Sequence, residues 1–289
     1  MQLRRFWPRA IPPNRYGPLH RATVYQLSNT NLVNPIRLMF GINQVLPDDI
    51  YLASYPRSGN TWTRNILAYL VHGTDHVLDS NTVSQTVPDA YISQAIINQQ
   101  RMGRIIKIHE TFLQACPRVI YVHRDYRESM VSYWHFYRRT EQKNLSFSQF
   151  IRSPYANSFG SWTSHMQALQ RRIKQDSRSI HVIRYADLVD QFEDTVARLV
   201  SWSGIGRGVN PADVKRRTDL NVLAQQDSEA ADQVSSGDSW STFRRASGTS
   251  FYVDRGKGAD WRSTWSQADL AWLARDRTRL RLMHAFGYD

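Results

Sequence analysis

The chain has 289 residues, and 37 Lys and Arg against 25 Asp and Glu give it a formal net charge of +12. Its single cysteine, Cys116, excludes an intramolecular disulfide and a disulfide-stapled secreted fold, and its apolar runs fall short of a membrane span. The basic excess suits a polyanionic ligand, nucleic acid or an anionic membrane surface equally, so composition alone selects no partner.

The length is compatible with one α/β domain over residues 1–289. Residues 1–45 mix Pro, Arg and aromatic residues without a period and read as a surface arm, with a short helix near Asn34–Phe40. Arg4, Arg5 and Arg9 are interrupted by Pro8, Pro12 and Pro13, and no signal-peptide apolar core follows, so a cytoplasmic location is expected.

Ile50–Ser54 reads as a short buried strand, Pro56 and Gly59 mark a tight turn, and Asn60–Val71 carries helical apolar spacing. A strand entering a helix through a Ser/Gly/Thr turn gathers backbone N–H groups at a positive helix end. With Ser58, Thr61 and the cation of Arg57 added, this is an anion site suited to phosphate. An ordinary strand-to-helix turn is the alternative. No G-x-x-x-x-G-K-[ST] string occurs, so the loop is not of the ATP type.

Residues 75–100 are polar and irregular, with a helix expected around Asp89–Gln99. Arg104–Thr111 then forms a strand ended by His109, with Lys107 and His109 on one face. A strand-end histidine is often only a satisfied surface residue. Beside a phosphate loop, at the strand ends where α/β sheets bind ligands, the two also suit a base-plus-cation pair. Pro117–Arg124 is a further buried strand, and Asp125 is placed to cap a helix over Tyr126–Arg139. Arg124 and Ser132 then converge as a phosphate clamp, although Arg-x₇-Ser alone is weak and Arg124 equally suits a salt bridge to a neighbour. The aromatic run 133–137 covers every side of its helix and is at least partly core. Trp162 and His165 open a long amphipathic helix as scaffold. Ser179–Tyr185 is another strand, Phe192–Trp202 a helix, residues 226–250 a long mobile lid loop, and Gln267–Phe286 a terminal helix. No Cys/His spacing calls for a metal.

Four segments, in order, resemble the cytosolic-type sulfotransferases that use 3′-phosphoadenosine 5′-phosphosulfate (PAPS). Tyr55-Pro56-Arg57-Ser58-Gly59-Asn60-Thr61-Trp62 is similar to the family's 5′-phosphosulfate loop, Y-P-K-S-G-T-T-W, with Arg57 in place of lysine. Lys107 and His109 stand where the family has Lys-Thr-His, and residues 119–136 resemble its 3′-phosphate segment, with Arg124 and Ser132 as ligands. Asp254–Arg262 resembles R-K-G-x-x-G-D-W-K and keeps Arg255, Gly256, Asp260 and Trp261. Asp254 replaces the first arginine, which weakens the grip unless Lys257 restores the charge. Tyr185 matches the adenine-pocket tyrosine, with Asp187 its neighbouring acid, and Trp62 with Tyr185 offers the ring flat apolar faces. Thr218 and Leu220 fall at nucleotide-contacting positions of a weaker match. Ser266-Gln267 departs from the family's dimer motif, so oligomeric state is left open.

The resemblance implies a three-layer single α/β domain, a central mostly parallel sheet flanked by helices, with a P-loop-like phosphate-binding loop. It implies a sulfonyl group moving from PAPS to a hydroxyl, less readily an amine, of a small, apolar or natural-product acceptor, with PAP (adenosine 3′,5′-bisphosphate) as product. His109 is the expected general base, and Lys107 and Arg57 neutralise the leaving phosphate, with no metal and no nucleic acid required. A non-catalytic binder of nucleic acid or sulfated polyanions and a nucleotide phosphotransferase are the alternatives.

Overall fold

A computed structural model describes residues 20, 23, 24 and 26, then 34–141, 144–225 and 260–289. Most of the expected arm, the 226–250 lid loop, and Arg255 and Gly256 lie outside the described residues.

Four strands, β1 (Ile50–Ser54), β2 (Ile105–Ile108), β3 (Arg118–His123) and β4 (Ile180–Arg184), form one sheet in the order β2-β1-β3-β4, and every pairing is parallel. Successive side chains on a strand point to opposite faces, and both faces of a parallel sheet are normally covered. Tyr51, Ala53, Ile106, Ile108, Val119 and Tyr121 enter one apolar core. Ile50, Leu52, Ile105, Ile120, Val122 and Ile183 enter the other.

On the first face lie α1 (Pro35–Phe40), α5 (Tyr126–Glu141), α6 (Phe147–Ile151), α7 (Trp162–Gln175), α12 (Gln267–Ala274) and α13 (Arg277–Ala285). On the second lie α2 (Asn60–His72), α3 (Ser80–Thr86), α8 (Tyr185–Asp190), α9 (Phe192–Ser203) and α10 (Pro211–Arg217). The short helices α4 (Gln94–Gln99) and α11 (Trp261–Thr264) join the first face through Ile97 and Trp261. The three-layer expectation holds.

Three stretches differ most from the sequence reading, each for a local reason. The helix expected over Asp89–Gln99 begins only at Gln94, because residues 88–90 pair with Lys107 and the Asp89 carboxylate accepts the Tyr91 N–H. Helix α3 forms in the stretch read as irregular, capped by Asp79 accepting the Thr82 N–H. The terminal helix is two helices, since the Asp276 side chain accepts the Arg279 N–H and starts α13 anew.

The chain leaves β1 for β2 on one side and then returns to β3 on the other. The carboxyl ends of β1 and β3 therefore flank the point where strand order reverses, the ligand crevice of open α/β sheets. Residues 55–59 follow β1 and Arg124 follows β3, so the topology brings both phosphate-binding candidates to that crevice.

Candidate active site

The loop after β1 is shaped by two left-handed residues. Arg57 has φ 64°, the only non-glycine with positive φ among the described residues, and Gly59 has φ 103°. A left-handed non-glycine costs roughly 1–2 kcal/mol and is characteristically kept at functional sites. At Gly59 a side chain is barred twice, because its Cβ would lie 2.6 Å from Tyr185 Cδ2. Helix α2 starts immediately after it with no side-chain cap, which leaves its first N–H groups to the crevice. Ser58 Oγ and Asn60 Oδ1 are buried without a hydrogen-bond partner, an arrangement that is costly unless a ligand completes it. Orphaned polar groups at an uncapped helix N-terminus beside Arg57 fit a phosphate or sulfonate group.

The loop and the Arg124 segment meet directly. Arg57 donates its Nε–H to Ser132 Oγ at 3.2 Å, its guanidinium lies 5.0 Å from the Phe136 ring centroid, and its carbonyl is 3.5 Å from Arg124 Nη1. Arg124 is held on three other sides. Its Nε–H goes to Glu128 at 2.8 Å, its face lies 4.2 Å from the Tyr185 ring centroid, and its carbonyl accepts the Trp162 indole N–H at 3.0 Å. A guanidinium oriented by edge and face is prepared for a phosphate. The salt bridge to a neighbour, the alternative to the clamp, is present as the Arg124–Glu128 pair.

His109, half-buried at the end of β2, lies 2.9 Å through Nδ1 from the main-chain carbonyl of Ser54. A carbonyl only accepts, so Nδ1 carries the proton and Nε2 keeps its lone pair. Asn60 Nδ2 donates to Ser54 Oγ at 3.0 Å, which ties the loop's first helical residue to the strand end beneath His109. Burial first, and the Lys107 charge second, push the His109 pKa down to about 3, against the opposing Ser54 carbonyl and Asp89, so the ring is neutral. Tyr91 stacks near it at 6.5 Å and Phe159 meets it edge-on at 5.4 Å.

Lys107 is on the expected strand, and its Nζ forms a buried ion pair with Asp89 Oδ2 at 2.6 Å. Burial holds the ammonium below its ordinary value against the pull of Asp89. Burial also works to raise the Asp89 carboxyl, but Lys107 and Arg64 outweigh it and keep it low.

The adenine-side candidates are less uniform. Trp62 and Tyr185 lie 6.0 Å apart but meet at 65°, edge to face, so they do not form parallel plates; Arg124 covers a face of Tyr185, and Phe192 packs on Trp62. Thr218 is buried with its hydroxyl donated to Val214, and its carbonyl accepts the Trp62 indole N–H at 2.8 Å. Leu220 is buried in the core around Trp62. Thr218 therefore holds Trp62 in place. Trp261 receives Arg127 against its ring at 4.3 Å, which docks the start of α11 on α5. His165 lies between Tyr121 and the Phe159 carbonyl, within the core, as scaffold.

Sequence reasoning assigned no role to Ser54, Asp89, Tyr91 or Phe159. The Pro88-Asp89 pair was a turn signal, but the helical pattern after it obscured the turn.

A parallel sheet covered by helices on both faces, with a phosphate-type loop at its switch point, defines an α/β fold built to bind an anion at its strand ends. Residues 47–272 match the sulfotransferase domain family, and the protein belongs to that family. Cytosolic sulfotransferase 1 of Danio rerio is 29% identical over 188 residues, 58% of this chain and 62% of the relative. Cytosolic sulfotransferase 5 of Arabidopsis thaliana is 23% identical over 184 residues, 54% and 56% of the two chains. The match thus spans less than two thirds of these curated relatives. Among solved structures, mouse sulfotransferase SULT7A1 complexed with PAP superposes with a TM-score of 0.60 at 16% identity, over 83% of this chain and 85% of that one. Retinol dehydratase in a complex with retinol and PAP does so at 0.56 and 15%, over 91% and 87%. Both show the shared fold. Among the described residues no helix is long and apolar enough to cross a membrane.

Proposed function

We propose that this protein transfers a sulfonyl group from PAPS to a hydroxyl of a small acceptor, with His109 as general base. The observation that carries the reading is the 2.9 Å contact between His109 Nδ1 and the Ser54 carbonyl, because a proton held at Nδ1 leaves the Nε2 lone pair to take an acceptor proton. Negative charge from a bound bisphosphate opposes the depression of the His109 pKa and returns the ring toward the range where a base is effective.

Bound at the loop, PAPS supplies the activated sulfonyl group. Ser58, Asn60, Thr61 and the first amides of α2 cradle its 5′ end, and Arg57 and Lys107 supply the cations that balance the leaving phosphate. Arg124 and Ser132 take the 3′-phosphate, and Arg255 and Gly256 are assigned to the same group by the motif match. Tyr185 and Trp62 border the base. Because Arg57 stays protonated, it neutralises charge but donates no proton to the leaving group. Charge neutralisation is assigned to side chains, and no metal ion is invoked. PAP in the mouse enzyme's structure supports the nucleotide. The rings of Tyr91 and Phe159 around His109 favour a small aromatic or apolar acceptor over a polysaccharide. The names of the Danio rerio and Arabidopsis thaliana relatives support a cytoplasmic location.

The test is a mass-spectrometric screen of hydroxylated small molecules with PAPS, read for an added sulfonate, alongside calorimetric titration with PAP. Sulfonated product and PAP binding are expected. Binding to nucleic acid that collapses with salt, with no affinity for PAP, would overturn the reading.

A further inference from the structure

Residues 88–91 run alongside β2 and grip both of its functional residues. The Lys107 N–H is donated to Pro88 O at 2.9 Å and the Ala90 N–H to Lys107 O at 3.0 Å, a parallel bridge centred on Asp89. From there the Asp89 carboxylate reaches Lys107 Nζ, with side chains 3% and 9% exposed, and its other oxygen accepts the Tyr91 N–H at 3.0 Å. The Tyr91 hydroxyl accepts the His109 main-chain N–H at 3.1 Å and donates to Glu110 at 2.9 Å. The stretch therefore touches Lys107 by side chain and backbone and His109 by backbone and ring stacking.

We propose that Asp89, braced by Tyr91, is a positioning residue for sulfonyl transfer: its ion pair fixes a charged Lys107 ammonium beside His109 and the phosphate loop. The proposal rests on the reading of Lys107 and His109 given above. A buried ion pair is weak evidence for stability, since apolar residues of similar volume commonly serve as well, so this pair calls for another reason. An ammonium in this setting gives up its proton unless a carboxylate holds it. The groups that face Lys107 are Arg64 on α2, Arg57 in the loop, Asp89, and the neutral His109 on its own strand. Arg64 and Arg57 are cations and oppose the Lys107 charge; Asp89 retains it. An ammonium has three N–H donors, so the pair with Asp89 is compatible with a second contact to a transferred oxygen.

The test compares wild type, Asp89→Asn, Lys107→Met and the double variant D89N/K107M. Lys107 acylation by an amine-selective reagent is followed against pH without donor, and PAP affinity and kcat are measured in parallel. In Asp89→Asn the labelling midpoint is expected to move to lower pH by about one unit or more. The kcat is expected to fall on the order of 10²-fold while PAP affinity stays within about threefold. The alkaline limb of the kcat profile is expected to move the same way as the labelling midpoint, which a purely structural role would not produce. Lys107→Met and D89N/K107M are expected to be equally active, because Asp89 acts through Lys107. If Asp89→Asn alone does not fold, the double variant, which removes the ammonium together with the carboxylate, carries that comparison. A labelling curve that superposes on wild type, or a further loss in the double variant over Lys107→Met, overturns the proposal. A wild type that binds no PAP and transfers no sulfonyl group overturns the functional reading and the positioning role with it.

Discussion

Arg57 donates its Nε–H to the hydroxyl of Ser132 at 3.2 Å, so the turn that follows β1 and the helix that follows β3 are joined by one bond. Residues 75 positions apart in the chain thereby share one crevice. The turn with Arg57 and the helix with Ser132, both candidates for phosphate, therefore line the same crevice.

Removing the base should separate chemistry from binding. His109→Ala deletes Nε2 but none of the loop's amides, Arg57, Arg124 or Ser132. Turnover is expected to fall to background while the PAP dissociation constant changes by less than about threefold. Product formation by mass spectrometry and PAP titration decide it, and a variant that loses both or keeps both contradicts the assignment.

Truncating the clamp should act in the opposite sense. Arg124→Ala removes a guanidinium oriented by Glu128 and Tyr185, and a charge-assisted contact of that kind is worth about 2 kcal/mol. PAP affinity is expected to fall roughly 30-fold or more. Calorimetric titration checks it, and an unchanged affinity removes Arg124 from the site.

Gly59 offers a test of the loop's shape. Gly59→Ala must hold a left-handed φ of 103° and displace the Tyr185 ring, whose Cδ2 lies 2.6 Å from the new Cβ. A loss of roughly 1–3 kcal/mol is expected from strain and overpacking together. Thermal unfolding reads the loss, and PAP affinity is expected to fall with it because Tyr185 also supports Arg124.

The turn after β1, the placement of Arg124 and Ser132 after β3, and the strand-end histidine were legible in the sequence because each lies within one contiguous segment whose spacing places it at a strand end. The partner sets were not. The nearer contact of Ser54 with His109 is its main-chain carbonyl, which any residue at that position would offer. Asp89 is 18 residues from Lys107, and their pairing follows from a parallel bridge that no local period announces. Thr218 and Leu220 aligned with nucleotide-contacting positions, yet the Thr218 carbonyl holds Trp62 from behind. The tilt between Trp62 and Tyr185 likewise depends on Phe192 and Arg124, which lie outside either motif.

Acid should destabilise the protein through histidines held neutral, and His123 is the clearest of them. It is 5% exposed at the end of β3, bonded through Nδ1 to the Tyr288 hydroxyl at 2.6 Å and met by the Phe286 ring. Burial first, and Arg184 second, push its pKa down to about 3, from an unfolded value near 6.5. Between those values the unfolded chain binds a proton that the folded chain refuses, so stability is fully present above pH 6.5 and is lost as pH falls toward 3. From about pH 6.5 to about pH 5 this one group accounts for up to about 2 kcal/mol. His181, pushed down to about 4 chiefly by burial, adds to the same slope. Urea unfolding at about pH 7 and about pH 5 is expected to show a lower midpoint in acid for the wild type and a smaller drop for His123→Asn, whose side chain does not titrate. Equal drops in the two proteins would mean that His123 is protonated in the folded state, and that Tyr288 and Phe286 do not seal it from water as the structure has them.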